Sequence, residues 1–418
     1  MSNDRKLRVA LVGLGGRGLG GTAHAIHACD NVEIAAICDL KEDRLAKGVE
    51  LMKEFGYDAT PYTDYRYILE RRDIDAVLVA TSWLTHVQIA CDCMRAGKYV
   101  AFEVGGAFSI EQCRKLVDVY EETGVPCMML ENISYGRPEL AVFNMVRKGL
   151  FGEIVHAEGG YCHFFETRMV GQIHDGYYRV PHYLHRNCDN YPCHGMALPF
   201  MALDINRGNR FVSLVSVATK TVGLRNESER VFGVGSPESR LDWQLGDVIT
   251  TILKTAHGQT VTLTLDDQLP RPYSRRGMIQ GSAGIYMEDG NQIYIDGRSP
   301  YNENRGHPIW EPADALLKEY DHPIWKEREA QGRTAGGHGG TDAIVVEAFL
   351  DAVRNGTNTP LDAYDSATYM AISALSEQSI AEGGSMVFFP DFTDGKWIVR
   401  GRDYKSKYSL DDVYDDLF

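Results

Sequence analysis

The first third of the chain alternates two patterns of different period, and that alternation restricts the fold more than any other feature. "LRVALVG" (7–13), "VEIAAICD" (32–39), "IDAVLVAT" (74–81), "YVAFEV" (99–104) and "VPCMMLEN" (125–132) are short, almost continuously apolar runs. Runs of that kind suit parallel strands buried on both faces. Between them lie segments of helical spacing. "KEDRLAKGVELMKEFG" (41–56) and "THVQIACDCMRAG" (85–97) end on glycine, and Ser109 can cap "SIEQCRKLVDVYEETG" (109–124). Repeated βα units predict an α/β fold with a doubly wound parallel sheet.

The turn after the first run is "GLGGRG", Gly13 to Gly18. It has the GxGxxG spacing, follows a strand and opens a helical stretch, the context that dinucleotide binding requires. Glycines let the backbone approach a pyrophosphate at the helix N-terminus. Asp39 ends the second strand, where a carboxylate holds a ribose 2′-OH and disfavours a 2′-phosphate, so NAD is expected over NADP. The cofactor set on this reading is Gly13, Gly15, Gly16, Arg17, Gly18 and Asp39. Thr81, Ser82 and Trp83 join it at the end of the next strand, with His86 just beyond. A tight turn with no cofactor is the competing explanation.

Beyond residue 132 the rhythm changes. "FGEIVHAEGGYCHFF" alternates, and 211–223, 247–269 and 276–297 read as antiparallel strands joined by short turns. Residues 300–340, rich in Gly, Pro, His and charge, read as a long loop, and two helices (341–356 and 363–384) close the chain. The expected division is a Rossmann domain over 1–132 and an α+β domain over 133–418 with a large open, mainly antiparallel sheet, the last helices packing back towards the first domain.

A formal net charge of −15 over 418 residues argues against binding to nucleic acid or anionic lipid. No apolar run is long enough to span a membrane. The nine cysteines are scattered without CxxC pairs, and the N-terminus lacks a signal-peptide core, so a reduced, cytoplasmic protein is expected.

Five stretches outside the glycine loop concentrate chemistry. In "LENISYGRPE" (130–139), Glu131 and Asn132 end a strand at the same sheet edge as Asp39; equally, Glu131 fits a structural partner of Arg137. In "EGGYCHFF" (158–165), Tyr161 and His163 share one face of a strand, as a site or as a solvated sheet surface. "HRNCDNYPCHGMALP" (185–199) brings Tyr191 and His194 just ahead of an apolar helix. "PRPYSRRG" (270–277) offers Tyr273, and "GGHGG" (336–340) offers His338 in a flexible loop. No HExxH or paired-carboxylate pattern supports a metal, and no GxSxG elbow supports a serine nucleophile.

Together these pieces resemble the Gfo/Idh/MocA oxidoreductases. In that family the strand matching "AFEV" usually ends in Glu-Lys-Pro, whose lysine serves hydride transfer; here the triplet is Glu103-Val104-Gly105. The stretches "CMMLENISYGR", "VRKGLFGEIVHAEGGYCH", "NYPCHG", "PRPYSR", "GGHGGTD" and "LSEQSIAEGGSMVFFPDFTDGKW" (375–397) are similar to the NAD-dependent glycosidases of glycoside hydrolase family 109, the α-N-acetylgalactosaminidase type. That resemblance implies that Glu103 and Val104 wall the nicotinamide pocket and that tightly bound NAD is recycled within each turnover. It implies hydrolysis of small glycosides by C3 oxidation, C2 deprotonation, elimination and water addition. Tyr161 would be the C2 base, and Glu131, Tyr191 and His194 would hold the 3-hydroxyl. His163 would orient or polarise, and Tyr273, Asn132 and His338 would contact substrate. A homodimer or homotetramer through the C-terminal sheet is also implied. The alternatives are a sugar or cyclitol dehydrogenase in which His194 replaces the lysine, and a non-catalytic sugar sensor.

Overall fold

The computed structural model describes residues 5–400 and 406–411. The chain divides into two compact units. The first takes its described residues from Met1–Arg137, His322–Thr368 and Gly401–Phe418, and the second is Pro138–Asp321 with Tyr369–Arg400.

The first unit is built on six strands: β1 (Leu7–Val12), β2 (Val32–Cys38), β3 (Thr60–Tyr62), β4 (Ala76–Val79), β5 (Tyr99–Phe102) and β6 (Cys127–Met129). They pair in parallel in the order β3-β2-β1-β4-β5-β6. Val9, Leu11, Ile34, Ile37, Leu78 and Phe102 are completely buried. Burial of each such side chain is worth about 1.5–3 kcal/mol, which is why these runs carry no polar alternation. The order reverses between β1 and β4, so a crevice opens beyond the carboxyl ends of those two strands. Ser109 caps the helix Ile110–Thr123 as the sequence suggests, its Oγ accepting from Gln112 N at 3.3 Å. β3 escaped the periodicity because it is a three-residue, largely exposed edge strand containing Pro61, which an edge tolerates and a central strand does not.

The second unit holds a nine-stranded sheet. Its strands are β7 (Ile154–Cys162), β8 (Phe211–Ala218), β9 (Ile249–Thr255), β10 (Thr260–Asp266), β11 (Met278–Gly281), β12 (Gly284–Met287) and β13 (Gln292–Ile295). Two residues each form β14 (Tyr301–Asn302) and β15 (His307–Pro308), which pair apart from it, and β16 (Glu311–Pro312) and β17 (Val387–Phe388), which edge it. Only the β7–β10 pair is parallel. The helix Cys193–Ala202 lies on β7 and is buried all round, so it shows no amphipathic stripe.

The expected loop over 300–340 is corrected. Besides β14 to β16 it contains the helices Asp314–Glu319 and Pro323–Ala330. The second starts with Pro323 at its first turn, and the His322 side chain accepts from Ile324 N at 3.2 Å. Charge disguised the segment, yet Leu316, Ile324 and Trp325 are buried. Among the described residues no helix is long and apolar enough to cross a membrane.

Candidate functional site

In the first unit the glycine loop fits a dinucleotide for steric reasons. A Cβ on Gly13 (φ +98°) would lie 2.5 Å from the Ala80 carbonyl carbon, and one on Gly18 would lie 1.9 Å from Gly13 O. Gly13 and Gly18 therefore let the turn fold tightly against the end of β4. Gly16 has open space around it and Gly15 only an ordinary contact with Arg44, so their bareness leaves the backbone approachable. Asp39 is anchored beside the loop: Oδ2 accepts from Leu14 N at 2.7 Å and Oδ1 from Lys41 N at 2.9 Å. These features fit NAD, which the loop amides would hold beside Asp39.

Trp83 and His86 are buried and shape the turn after β5. Trp83 Nε1 donates to Val104 O at 2.9 Å, while His86 sets its ring nitrogens 3.1 Å from Gly105 O and 3.0 Å from Thr81 O. Ser82 leads into the 3₁₀ turn Trp83–Thr85, and Thr81 Oγ1 lies 2.7 Å from Thr85 Oγ1. Gly105 and Gly106 leave room for these rings, since a Cβ on them would meet Trp83 and His86 at 2.6 Å.

Three of the sequence-selected residues converge on one carboxylate, that of Asp342, and a fourth, Glu103, joins them through Arg17. Arg17 binds Glu103 at 2.8 Å and reaches Asp342 with two bonds of 2.8 and 3.0 Å. Asn132 donates to Asp342 Oδ1 at 2.7 Å, and His338 Nδ1 lies 3.0 and 3.1 Å from its two oxygens. Burial disfavours the Asp342 carboxylate, but His338 and Arg17 outweigh it and hold its pKa below the usual range. Glu131 is wholly buried and accepts from Ile133 N at 3.0 Å, capping the turn Asn132–Tyr135.

In the second unit a different cluster forms around Tyr161 at the end of β7. Its ring centroid lies 4.4 Å from Tyr191, 5.7 Å from His163, 5.8 Å from His194 and 6.3 Å from Tyr273. Tyr191 OH is 3.4 Å from His194 Nε2. Backbone contact brings them together. A Cβ on Gly159 would lie 1.8 Å from Gly195 O, and one on Gly195 would lie 2.2 Å from Gly160 N. Three bare glycines thus press the helix bearing His194 directly onto β7. Tyr161, Tyr191 and His194 are buried, His163 is half-buried and Tyr273 is 48% exposed, so the cluster opens on the Tyr273 side.

Packed against this cluster is a residue that periodicity did not single out. Arg179 is buried, its guanidinium 4.4 Å from the Tyr191 ring centroid, 4.8 Å from Phe165 and 5.9 Å from Tyr161. Burial pushes the Tyr161 phenol up to about 12, with Arg179 opposing through charge and a hydrogen bond. Asp267, bonded to the Tyr183 hydroxyl, is raised to about 6, and Asp189, which accepts from Tyr191 N at 3.3 Å, to about 7, both by burial first. Burial lowers His163. Aromatic neighbours in "YYRVPHY" (177–183) were the available signal for Arg179, and the DD pair ending β10 for Asp267. Among the described residues no group of three His, Cys, Asp or Glu is arranged to hold a metal ion.

The chain has relatives in sequence and in fold. Residues 135–399 match the family described as glycosyl hydrolase 109, C-terminal domain, and residues 7–131 match the oxidoreductase family, NAD-binding Rossmann fold. The chain is 39% identical to an alpha-N-acetylgalactosaminidase of Tannerella forsythia, over 95% of this chain and 88% of that protein. It is 37% identical to a glycosyl hydrolase family 109 protein of Parabacteroides distasonis, over 95% and 89%. Among solved structures it is similar in fold to levoglucosan dehydrogenase in complex with NADH and levoglucosan, with a TM-score of 0.70 and 18% identity over 92% of this chain and 99% of that one.

Proposed function

The chain belongs to the glycosyl hydrolase 109 family, and from that premise we propose that it is an NAD-dependent glycosidase cleaving small glycosides by a redox-neutral elimination and addition. The observation that carries the reading is the Tyr161–Tyr191–His194 cluster packed against Arg179, which gathers tyrosine and histidine groups able to move protons. The Gly13–Gly18 loop and Asp39 would hold NAD, whose chemistry, when bound, would be that of a reversible hydride acceptor for C3 of the sugar. The remaining chemistry is proton movement by this chain. His194, 3.4 Å from the Tyr191 hydroxyl, takes the proton of the 3-hydroxyl. A carbonyl at C3 acidifies the C2 proton, which the Tyr161 phenolate removes, and the electron pair expels the C1 oxygen. Water then adds at C1, its proton balancing the one taken up by the departed C1 oxygen; Tyr161 returns a proton to C2, and His194 returns one to the 3-oxygen.

Arg179 makes that phenolate accessible. At about 12 the phenol is mostly protonated near neutrality. Without the guanidinium, burial would hold it higher still. His163 and the exposed Tyr273 flank the entrance, where they orient the sugar. The name of the Tannerella relative makes α-N-acetylgalactosaminides the first substrates to try. A homo-oligomer through the nine-stranded sheet is supported by its outer face, where Val217, Ile252 and Phe388 are 54, 49 and 79% exposed.

The test is a panel of nitrophenyl glycosides in D₂O, following phenol release, deuterium at C2 and NADH absorbance. Phenol with C2 deuteration and no net NADH supports the reading, and Tyr161→Phe should abolish both. Stoichiometric NADH from free sugars without phenol would replace it with a dehydrogenase.

A further inference from the structure

A redox-neutral cycle needs its cofactor to remain bound from one turnover to the next, whereas a dehydrogenase must exchange it. The first unit contains a device suited to that need. Arg17, in the glycine loop, bridges two carboxylates that come from separate parts of the chain: Glu103 directly after β5, and Asp342 in the first turn of the helix Thr341–Asn355. Glu103 is held in turn by the Thr22 hydroxyl at 3.0 Å, and Asp342 by Asn132 after β6 and by His338. The bonded ring therefore joins the dinucleotide loop, two strand ends at the crevice edge and the segment "GGHGGTD".

That segment is shaped around the Asp342 carboxylate. A Cβ on Gly337 would lie 2.3 Å from Asp342 Oδ2, so a side chain there would push the carboxylate aside. Gly336, Gly339 and Gly340 have φ of +133°, +68° and +95°, and His338 itself sits at +49°. A non-glycine residue in that region is costly unless its surroundings fix it, and here the imidazole–carboxylate contact does so. The Asp342 side chain is 4% exposed and that of Arg17 31%, so the pair is shielded more than a surface ion pair.

We propose that Arg17 and Asp342 form a clasp that retains NAD, with Glu103, Asn132 and His338 as positioning residues. The inference rests on the NAD-dependent reading above. The guanidinium spends its donors on two carboxylates, so it closes the loop against the 336–342 segment instead of acting as a lone charge for the pyrophosphate. Cofactor release then requires the Arg17–Asp342 bonds to break.

The experiment measures NAD loss from the holoprotein after rapid dilution into cofactor-free buffer, by released NAD and by the change in tryptophan fluorescence. Asp342→Asn keeps the shape and removes the charge. Arg17→Lys keeps the cation but cannot bridge both carboxylates. Both variants should lose NAD at least about tenfold faster than the unaltered protein. The melting temperature of the stripped proteins, measured alongside, separates a clasp from a general loss of folding. If Asp342→Asn releases NAD at the original rate, or if Arg17→Lys retains it, the clasp is refuted; the second outcome makes Arg17 a charge on the phosphates. Net NADH production by the unaltered protein would overturn the glycosidase reading while leaving these release rates to judge the clasp.

Discussion

Gly195→Ala sets local propensity against tertiary packing, and the two predict opposite signs. Gly195 lies within the helix Cys193–Ala202, where alanine is favoured over glycine by about 1 kcal/mol. In the fold the added methyl carbon would sit 2.2 Å from Gly160 N, 2.7 Å from Gly160 Cα and 2.9 Å from Gly159 C. All three are backbone atoms of β7, so no side chain can rotate aside. Restoring ordinary contact requires the helix and strand to separate by about 1 Å. Overpacking of this kind costs about 1–3 kcal/mol, which outweighs the helical gain. The same displacement draws His194 and Tyr191 away from Tyr161, which stays on β7. A misplacement of about 1 Å costs on the order of 100-fold in rate. Urea unfolding and the rate of nitrophenyl glycoside cleavage should both fall. A variant as stable as the parent, with its rate intact, would refute the argument that the glycine contact sets the geometry of the cluster.

Other consequences follow from the same geometry. If Tyr161 acts as a phenolate of pKa about 12, cleavage should accelerate about tenfold per pH unit between pH 6 and 9; a flat profile would exclude it as the base. Arg179→Gln should lower the rate at every pH in that range without flattening the slope, checked on the same profile. Asp189 rises from 3.8 to about 7 on burial, so it is protonated in the fold while the unfolded chain has lost its proton. Stability linked to it is complete below about pH 4 and declines as pH rises towards 7, by on the order of 4 kcal/mol. Asp189→Asn should therefore gain stability at pH 8 relative to pH 4, measured by urea midpoints. Gly106→Ala, with φ +123° and a Cβ 2.6 Å from His86 Cβ, should lose about 1–3 kcal/mol in the same assay and loosen the turn carrying Glu103.

Much of the first unit was legible in the chain because its rules are local. Double-sided burial writes itself as β1, β2, β4, β5 and β6, and the tight turn writes itself as Gly13 and Gly18. A period of two placed the Tyr161 and His163 side chains together, and their rings are 5.7 Å apart. The short elements between 300 and 340 were not legible, because Leu316, Ile324 and Trp325 are too widely spaced among charges to show a period.

What tertiary structure decided is which distant residues meet. Arg17 and Asp342 are 325 positions apart, and Tyr183 and Asp267 are 84 apart. No periodicity spans such intervals, so Asp342, Arg179, Asp189 and Asp267 acquire their roles only when the chain is folded. The pKa values of Tyr161 and Asp189 follow the same logic, since burial and a neighbouring guanidinium are properties of the assembled interior. Local order along the chain was enough for the cofactor-binding scaffold and for the supply of side chains fit for chemistry. Folding determined their electrostatics, because charge interactions depend on distance and burial in space, not on order along the chain.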